Sequence, residues 1–553
     1  MLKIRVPPKE VLPIKFDIKP SYASKLDIVT SLKTYIQELN NLGYLSASVD
    51  STTGDSVLQI AHLFIGRKYE WTTINTDSVE EEILSRTGFR NKQFLNKPFS
   101  AKQISHFFNQ SLTYLENNGY PFAEIKLAHV QIIDTKMTAN VILTKNKFYR
   151  IDTIEIKGES TRLHRNYIEN IIGVKSKQPY DERVIKNISK RIYEDPFMAE
   201  LKPYEVIFSE DQCKLIVILK PKKANVFDGI IGIQPQSNSS KITLTGDVKT
   251  SLGNIVGHGE RLNLRWQRLR DQTQQIDASI KIPFLIKTPI GFGYALNIYR
   301  RDTTFNNVHH RFTIPFRLQN GSDFHGFYDD FSTSLISTSI YDSLLLPPFN
   351  DAKNSLIGLG FTGAFVSNKF NPYSGWLIDL NGGAGTNKII QNSDLESINY
   401  DSIPLTSTLL QGEVIIQYFQ PITPQTTILF KINSGFKSTK NLVENQGYRI
   451  GGLSTLRGFD EQSIIASSFA VGTIEYRFLF DESSRLIVFS DWAWYELATL
   501  SSYQTDTPFS FGAGISFGTN SGIFSLNYAL GSQFNNPVNF RSGKIHFGFV
   551  NLF

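Results

Sequence analysis

The chain has 553 residues, a formal net charge of +6 and a single cysteine. That length suits two to four domains, one cysteine cannot form an internal disulfide, and lysines interleaved with acids argue against a nucleic-acid partner. No run of eighteen apolar residues occurs, so a membrane-spanning helix is not expected. Membrane-crossing strands stay open, because they alternate apolar and polar residues and average to a soluble-looking composition.

The start, MLKIRVPPKEVLPIKFDIKP, lacks the apolar core and small-residue cleavage site of a signal peptide. A repeat follows. NLGYLSASV (Asn41–Val49) and NNGYPFAEI (Asn117–Ile125) each come after a helical pattern and lead into an alternating stretch. Gly43 and Gly119 stand just past those helices, where a left-handed conformation is usual and glycine carries no steric penalty. Tyr69 and Tyr149 open YEWTTI and YRIDTI, strands that lead into the next units. A third helix, DERVIKNISKRIY, ends with Pro196 and Phe197 where the earlier copies have Gly-Tyr. Gly43 to Gly119 is 76 residues and Gly119 to Pro196 is 77. This period predicts βααββ modules over residues 1–72, 73–147 and 148–222, each with its own small core. Cys213, in CKLIVILK, reads as a small core residue.

From residue 223 to 553 helical periodicity gives way to alternation. In FSFGAGISFG an aromatic row (Phe509, Phe511, Phe517) opposes serines and glycines. In GIFSLNYALG, Phe524, Leu526, Tyr528 and Leu530 oppose Ser525, Asn527, Ala529 and Gly531. Period two puts each row on one face. An aromatic face backed by a small polar one suits lipid outside and a wet lumen inside. Candidate strands begin near Val226, Lys241, Glu260, Gln275, Ile290, Val308, Ser322, Asn354, Gly375, Leu409, Thr426, Phe469, Arg485, Phe509, Gly522 and Lys544. Sixteen is an even number, which suits an up-and-down barrel with both termini on one side. The expected fold class is N-terminal α+β repeats followed by a C-terminal all-β, sixteen-stranded antiparallel transmembrane barrel.

Between the eleventh and twelfth strands, near residues 440–466, lies RIGGLSTLRGFDEQS. On the strands that follow it, Ile474, Tyr476, Phe478 and Phe480 form one apolar row, and Leu486, Val488, Trp492 and Trp494 another. Parity then sends Glu475, Arg477 and Asp491 into the lumen, since a carboxylate facing lipid is costly. An Arg carried inward by the loop would satisfy both acids through its planar, multi-donor head. Arg457 is the candidate. Gly458 permits a sharp turn, Phe459 can pack on the wall, and Gly451 and Gly452 permit tight re-entry. The alternative is an exposed loop in which Arg457 pairs with Asp460 or Glu461 beside it.

GGLSTLRGF, from Gly451 through Leu456, Arg457 and Gly458 to Phe459, resembles the sixth-loop motif of the BamA/TamA superfamily of outer-membrane assembly and translocation proteins. FSD (Phe489–Asp491) is similar to the family's aromatic-x-Asp motif on the thirteenth strand, and Glu475 matches the acidic position on the twelfth. NIVGHGERLNL (Asn254–Leu264) resembles an early-barrel stretch. The last strand, KIHFGFVNLF, ends on Phe553 and resembles the C-terminal signal of outer-membrane barrels, with Asn551 as a departure. The resemblance implies POTRA modules in the periplasm, a barrel in the outer membrane of a Gram-negative bacterium, and Arg457 locking the loop against Glu475 and Asp491. It also implies a weak seam between first and last strands, where a nascent strand could pair with an open edge.

Function follows as an expectation. The first reading is an assembly factor that receives unfolded outer-membrane β-barrel proteins through its modules and inserts them at the seam. Its partners would be those substrates, the lipid bilayer and subunits of an assembly complex. The alternatives are a two-partner secretion translocator with one secreted protein substrate, or an accessory subunit. Three modules and no plug helix ahead of the first favour assembly. No enzyme, cofactor or metal is expected. His309 and His310 fall on opposite faces of a strand, and no G-x-S-x-G, H-E-x-x-H or phosphate-binding loop occurs.

Overall fold

Helix Ala101–Glu116 illustrates how a repeat unit is built. Ser100 caps its start by accepting a hydrogen bond from the Gln103 N–H. Ile104, Phe107 and Leu115, at helical spacing, bury one face in a core with Trp71, Ile83, Met137 and Val141. The computed structural model describes all residues except 1, 8–11, 16–21, 23, 55–57, 160–161, 211, 223, 236–241, 271–272, 286–287, 319–320, 339–346, 369–370, 396–399, 482, 520–521, 535, 540, 542 and 551–553. Beside this helix, strand Glu70–Asn75 runs parallel to Lys136–Thr144, which pairs antiparallel with Glu124–Ile133.

The same first–third–second order recurs twice. Leu2–Arg5, Gln59–Phe64 and Ser48–Gly54 form one sheet, and Ile151–Gly158, Cys213–Pro221 and Met198–Phe208 the other. The opening strand of the first sheet, Leu2–Arg5, comes from the start of the chain. That sheet carries one helix among the described residues, Lys25–Asn41, where two were expected. Gly43 and Gly119 adopt φ of +99° and +94°. Their carbonyls accept the backbone N–H of Tyr69 and Tyr149, each at 2.8 Å. The two landmarks of the repeat are therefore the two ends of one hydrogen bond. The third copy makes the bond shifted by one residue, from Lys222 N–H to the Phe197 carbonyl at 3.0 Å. Cys213 is buried, and its N–H donates to Asp152.

The chain divides into two compact units, and the division runs through the third sheet. Met1–Ile156, Val174–Ile188 and Tyr204–Val217 form the first; Lys157–Gly173, Ser189–Pro203 and Ile218–Phe553 form the second.

Among the described residues the second unit holds sixteen long strands. They are β1 (Val226–Pro235), β2 (Ile242–Gly253), β3 (Arg261–Arg270), β4 (Thr273–Ile282), β5 (Phe292–Arg301), β6 (Phe305–Arg317), β7 (Asp323–Leu335), β8 (Ala352–Val366), β9 (Gly375–Ile389), β10 (Thr406–Thr423), β11 (Thr426–Ser438), β12 (Ser468–Leu479), β13 (Arg485–Ala498), β14 (Phe509–Thr519), β15 (Gly522–Ser532) and β16 (Lys544–Val550). Each pairs antiparallel with the next in chain order, and every one starts within three residues of its expected position. A seventeenth piece, Tyr503–Asp506, was not expected. It extends the β14 side of the β13 ladder beyond Pro508, whose missing N–H interrupts the pairing. Among the described residues no ladder joins β1 to β16.

The wall is inside out compared with a sandwich in water. Leu359 and Ile357 on β8, Ile314 on β6 and Val488 and Trp492 on β13 face outward, with Leu359 75% exposed. Inward neighbours are polar and buried, among them Asn307, Asn354, Asn387, Glu475 and Asp491. Such a surface is stable where lipid, not water, meets the wall, and a barrel satisfies the backbone there. No described helix is long and apolar enough to cross a membrane.

Candidate functional site

The loop between β11 and β12 enters the lumen in two halves. Its first half is held by amides. Gln446 Nε2 donates to Asn354 Oδ1 at 2.6 Å and Asn387 Oδ1 at 2.7 Å. Asn445 Nδ2 donates to Thr333 Oγ1 at 2.7 Å, and the Asn445 backbone carbonyl accepts from Asn307 Nδ2 at 2.9 Å. A small hairpin, Tyr448–Ile450 with Ile464–Ala466, then carries the tip. Gly451 and Gly452 turn at φ of +113° and +92°. The turn is closed by Thr455, whose Oγ1 bonds both the N–H and the carbonyl of Gly451. Leu456 is fully buried, and Phe459 packs in the same cluster as Ile450, Val471 and Tyr495.

At the tip the structure brings Arg457, Glu475 and Asp491 together. Arg457 Nε and Nη2 take the two oxygens of Asp491 at 2.9 and 2.7 Å, a two-pronged pair, and Nη1 reaches Glu475 Oε2 at 2.6 Å. The Arg457 backbone N–H adds a bond to Asp491 at 3.2 Å. The guanidinium lies 3.3 Å from the centre of the Phe489 ring, which gives the aromatic of the FSD stretch a cation–π contact. Thr473 Oγ1 donates to Asp491 at 2.8 Å and Arg477 Nε to Glu475 at 2.7 Å. The Arg457, Glu475 and Asp491 side chains are 10%, 5% and 1% exposed. Charges this dry persist only when paired and fully bonded.

The exposed-loop alternative does not occur. Asp460 pairs with Lys544 on β16 at 2.9 Å, and Glu461 accepts from the Leu453 N–H. Gly458 turns at φ +86°, and its N–H donates to His546 Nε2 on β16 at 3.0 Å. Sequence reasoning missed His546 and the amides around Asn445. One signal for the amides was available: Asn307, Asn354 and Asn387 all share the lumen parity. Phe553 lies outside the described residues. His309 and His310 do face opposite ways, the first to Asp329 and the second to the Tyr294 hydroxyl.

The early-barrel stretch Asn254–Leu264 forms a built turn between β2 and β3. Glu260 accepts the N–H of Val256 at 2.5 Å and of His258 at 2.9 Å. Burial raises the Glu260 pKa, but these backbone donors outweigh it and hold the carboxyl below its usual range. Gly257 and Gly259, at φ +92° and +71°, let helix Arg165–Ile172 close on the turn. The His164 N–H donates to the Gly257 carbonyl at 2.8 Å, and the Tyr167 ring occupies the space a Gly259 Cβ would need. The rings of His164 and His258 stack at 4.3 Å. Tyr167 donates to Asp195 Oδ2 at 2.6 Å, and burial pushes the Asp195 carboxyl up.

Comparison with known proteins adds three findings. Residues 254–553 match the model of the Omp85 superfamily domain. The chain is similar to CdiB from Escherichia coli, with TM-score 0.54 and 13% identity over 96% of this chain and 99% of that one. CdiB from Acinetobacter baumannii gives 0.51 and 13% over 95% and 98%, a likeness of fold. BamA from Haemophilus ducreyi lacking POTRA domains 1–3 gives 0.44 and 14% over 87% and 99%. No curated protein matches.

Proposed function

The chain belongs to the Omp85 superfamily, barrels of outer-membrane protein insertion or translocation, and on that premise we propose that it assembles β-barrel proteins in the outer membrane of a Gram-negative bacterium. Modules at 1–72, 73–147 and 148–222 face the periplasm and receive unfolded substrates by pairing with sheet edges. The barrel from 223 onward inserts them along its wall, where β1 and β16 end the strand order. The latch of Gly451, Gly452, Leu456, Arg457, Gly458 and Phe459, with Glu475 and Asp491, keeps the loop inside while the wall works. The bilayer and further assembly-complex subunits are its other partners.

The observation that carries this reading is the locked loop. Arg457 makes four hydrogen bonds to two buried carboxylates across β12 and β13, which favours a route beside the barrel over one through it. Depletion of the protein in its host, followed by quantitative outer-membrane proteomics, tests the proposal. Loss of many unrelated barrel proteins is the expected result. Loss of one secreted partner, with other barrels intact, would make the chain a two-partner secretion translocator instead. No change in either set would leave it an accessory barrel.

A further inference from the structure

The outer wall departs from a lipid-facing pattern at one end. Cross-strand register aligns Gln274, Arg300, Asn306 and Ser334, one each on β4 to β7. Their neighbours fix the parity. Gln275 and Asn307 bond to Gln462 and Asn445 of the lumen loop, so Gln274 and Asn306 point out of the barrel. Two residues along, the same outward face turns apolar with Ile276 paired to Ile298. These side chains line a groove of about 370 Å³. It therefore has a guanidinium and hydrogen-bonding groups toward one edge, where Ile336 also lines it, and an isoleucine floor on the other.

Among the described residues Arg300 has no ion pair; its hydrogen bond runs from Nε to the Asp302 carbonyl at 3.1 Å. Two further cations share this end of the wall. Lys353 and Lys388 stand directly opposite on β8 and β9, both outward and exposed. Like charges in that position are destabilising. Asp330 compensates Lys353 at 3.1 Å, and an external anion would offset the rest. All these residues lie at the end of the strands from which the loop between β11 and β12 leaves.

We propose that this groove binds the phosphate-bearing headgroup of an outer-leaflet lipid. Arg300 takes the phosphate, since a planar fork fits tetrahedral oxygens. Gln274, Asn306 and Ser334 bond beside it, and one acyl chain lies along Ile276 and Ile298. A soluble anion would use the polar edge and leave the floor uncovered. The assignment to the outer leaflet rests on the orientation proposed above; the site itself does not.

Native mass spectrometry of the full-length folded chain in detergent tests it, with a phosphorylated glycolipid and its dephosphorylated counterpart as probes. Wild type should retain the phosphorylated lipid about tenfold better than R300A, the usual scale for one charge-assisted contact. Neither variant should distinguish itself on the dephosphorylated lipid. Arg300 faces outward, so R300A should keep heat-modifiable migration; R300Q gives a second, more conservative comparison. Equal retention by wild type and both variants would overturn the proposal, as would equal retention of the two lipids. Complete displacement by excess inorganic phosphate would also overturn it, in favour of a free anion; persistence of the lipid supports the acyl contact. Orientation is read separately, by labelling S393C in a C213S background with an impermeant maleimide in intact cells. Labelling supports the outer-leaflet assignment. Its absence, with Arg300-dependent binding retained, would sink the proposed orientation and leave the lipid site standing.

Discussion

At the scale of single residues, Arg457 decides most. Removing it leaves two carboxylates in a dry lumen without their partner, and breaking a buried pair in this way costs about 3–5 kcal/mol. Arg477 still bonds Glu475, so Asp491 bears most of the loss. R457A should therefore lower the thermal midpoint of heat-modifiable migration clearly. R457K, which keeps the charge and loses the fork, should fall between. A midpoint for R457A equal to wild type would mean that the loop is held elsewhere. Gly458 is constrained differently. Its φ of +86° is unfavourable for a side chain, and a Cβ would lie 2.9 Å from the Gly531 backbone nitrogen on β15. G458A should cost roughly 1–3 kcal/mol, and an unchanged midpoint would show that the tip can move away from β15.

At the scale of elements, the turn Asn254–Glu260 is sensitive to acid. The Glu260 carboxyl is held below its ordinary 4.5, so its stabilisation is present above that value and is lost as pH falls through the lower folded value. Protection of the Val256 and His258 amides, corrected for intrinsic exchange rates, should drop on acidification below pH 4.5. E260Q should already show the loss at neutral pH. Flat protection across that range would sink the idea that the carboxylate builds the turn. How legible elements were in the sequence follows from what fixes them. The strands and the inward parity of Glu475 and Asp491 were readable because lipid forces period two on every crossing. The βααββ landmarks were readable because Gly43 and Gly119 need a left-handed conformation. Phe489 and Arg457 were readable as a pair of motifs. The Asn445 and Gln446 anchors and His546 were not, because their partners come from strands up to 138 residues away, set by register alone. Tyr503–Asp506 was missed because Pro508 divides one alternating run into two pieces.

At the scale of the molecule, the same loop that fixes the site decides whether the lumen is open to ions. Its root is bonded to inward residues of β6, β8 and β9. Its tip is bonded to β12, β13 and β16. A segment tied to both groups of strands must span the lumen between them, so the folded barrel should conduct poorly in a planar bilayer. Releasing the tip alone leaves the root in place, and R457A should then raise conductance with frequent flicker. Removing the root amides as well, with N307A, N445A and Q446A, should convert the flicker to larger and longer openings, because both attachments are then lost. Wild-type conductance in R457A, in protein that still shows heat-modifiable migration, would place the loop off the ion path. The lumen charges would then serve stability alone.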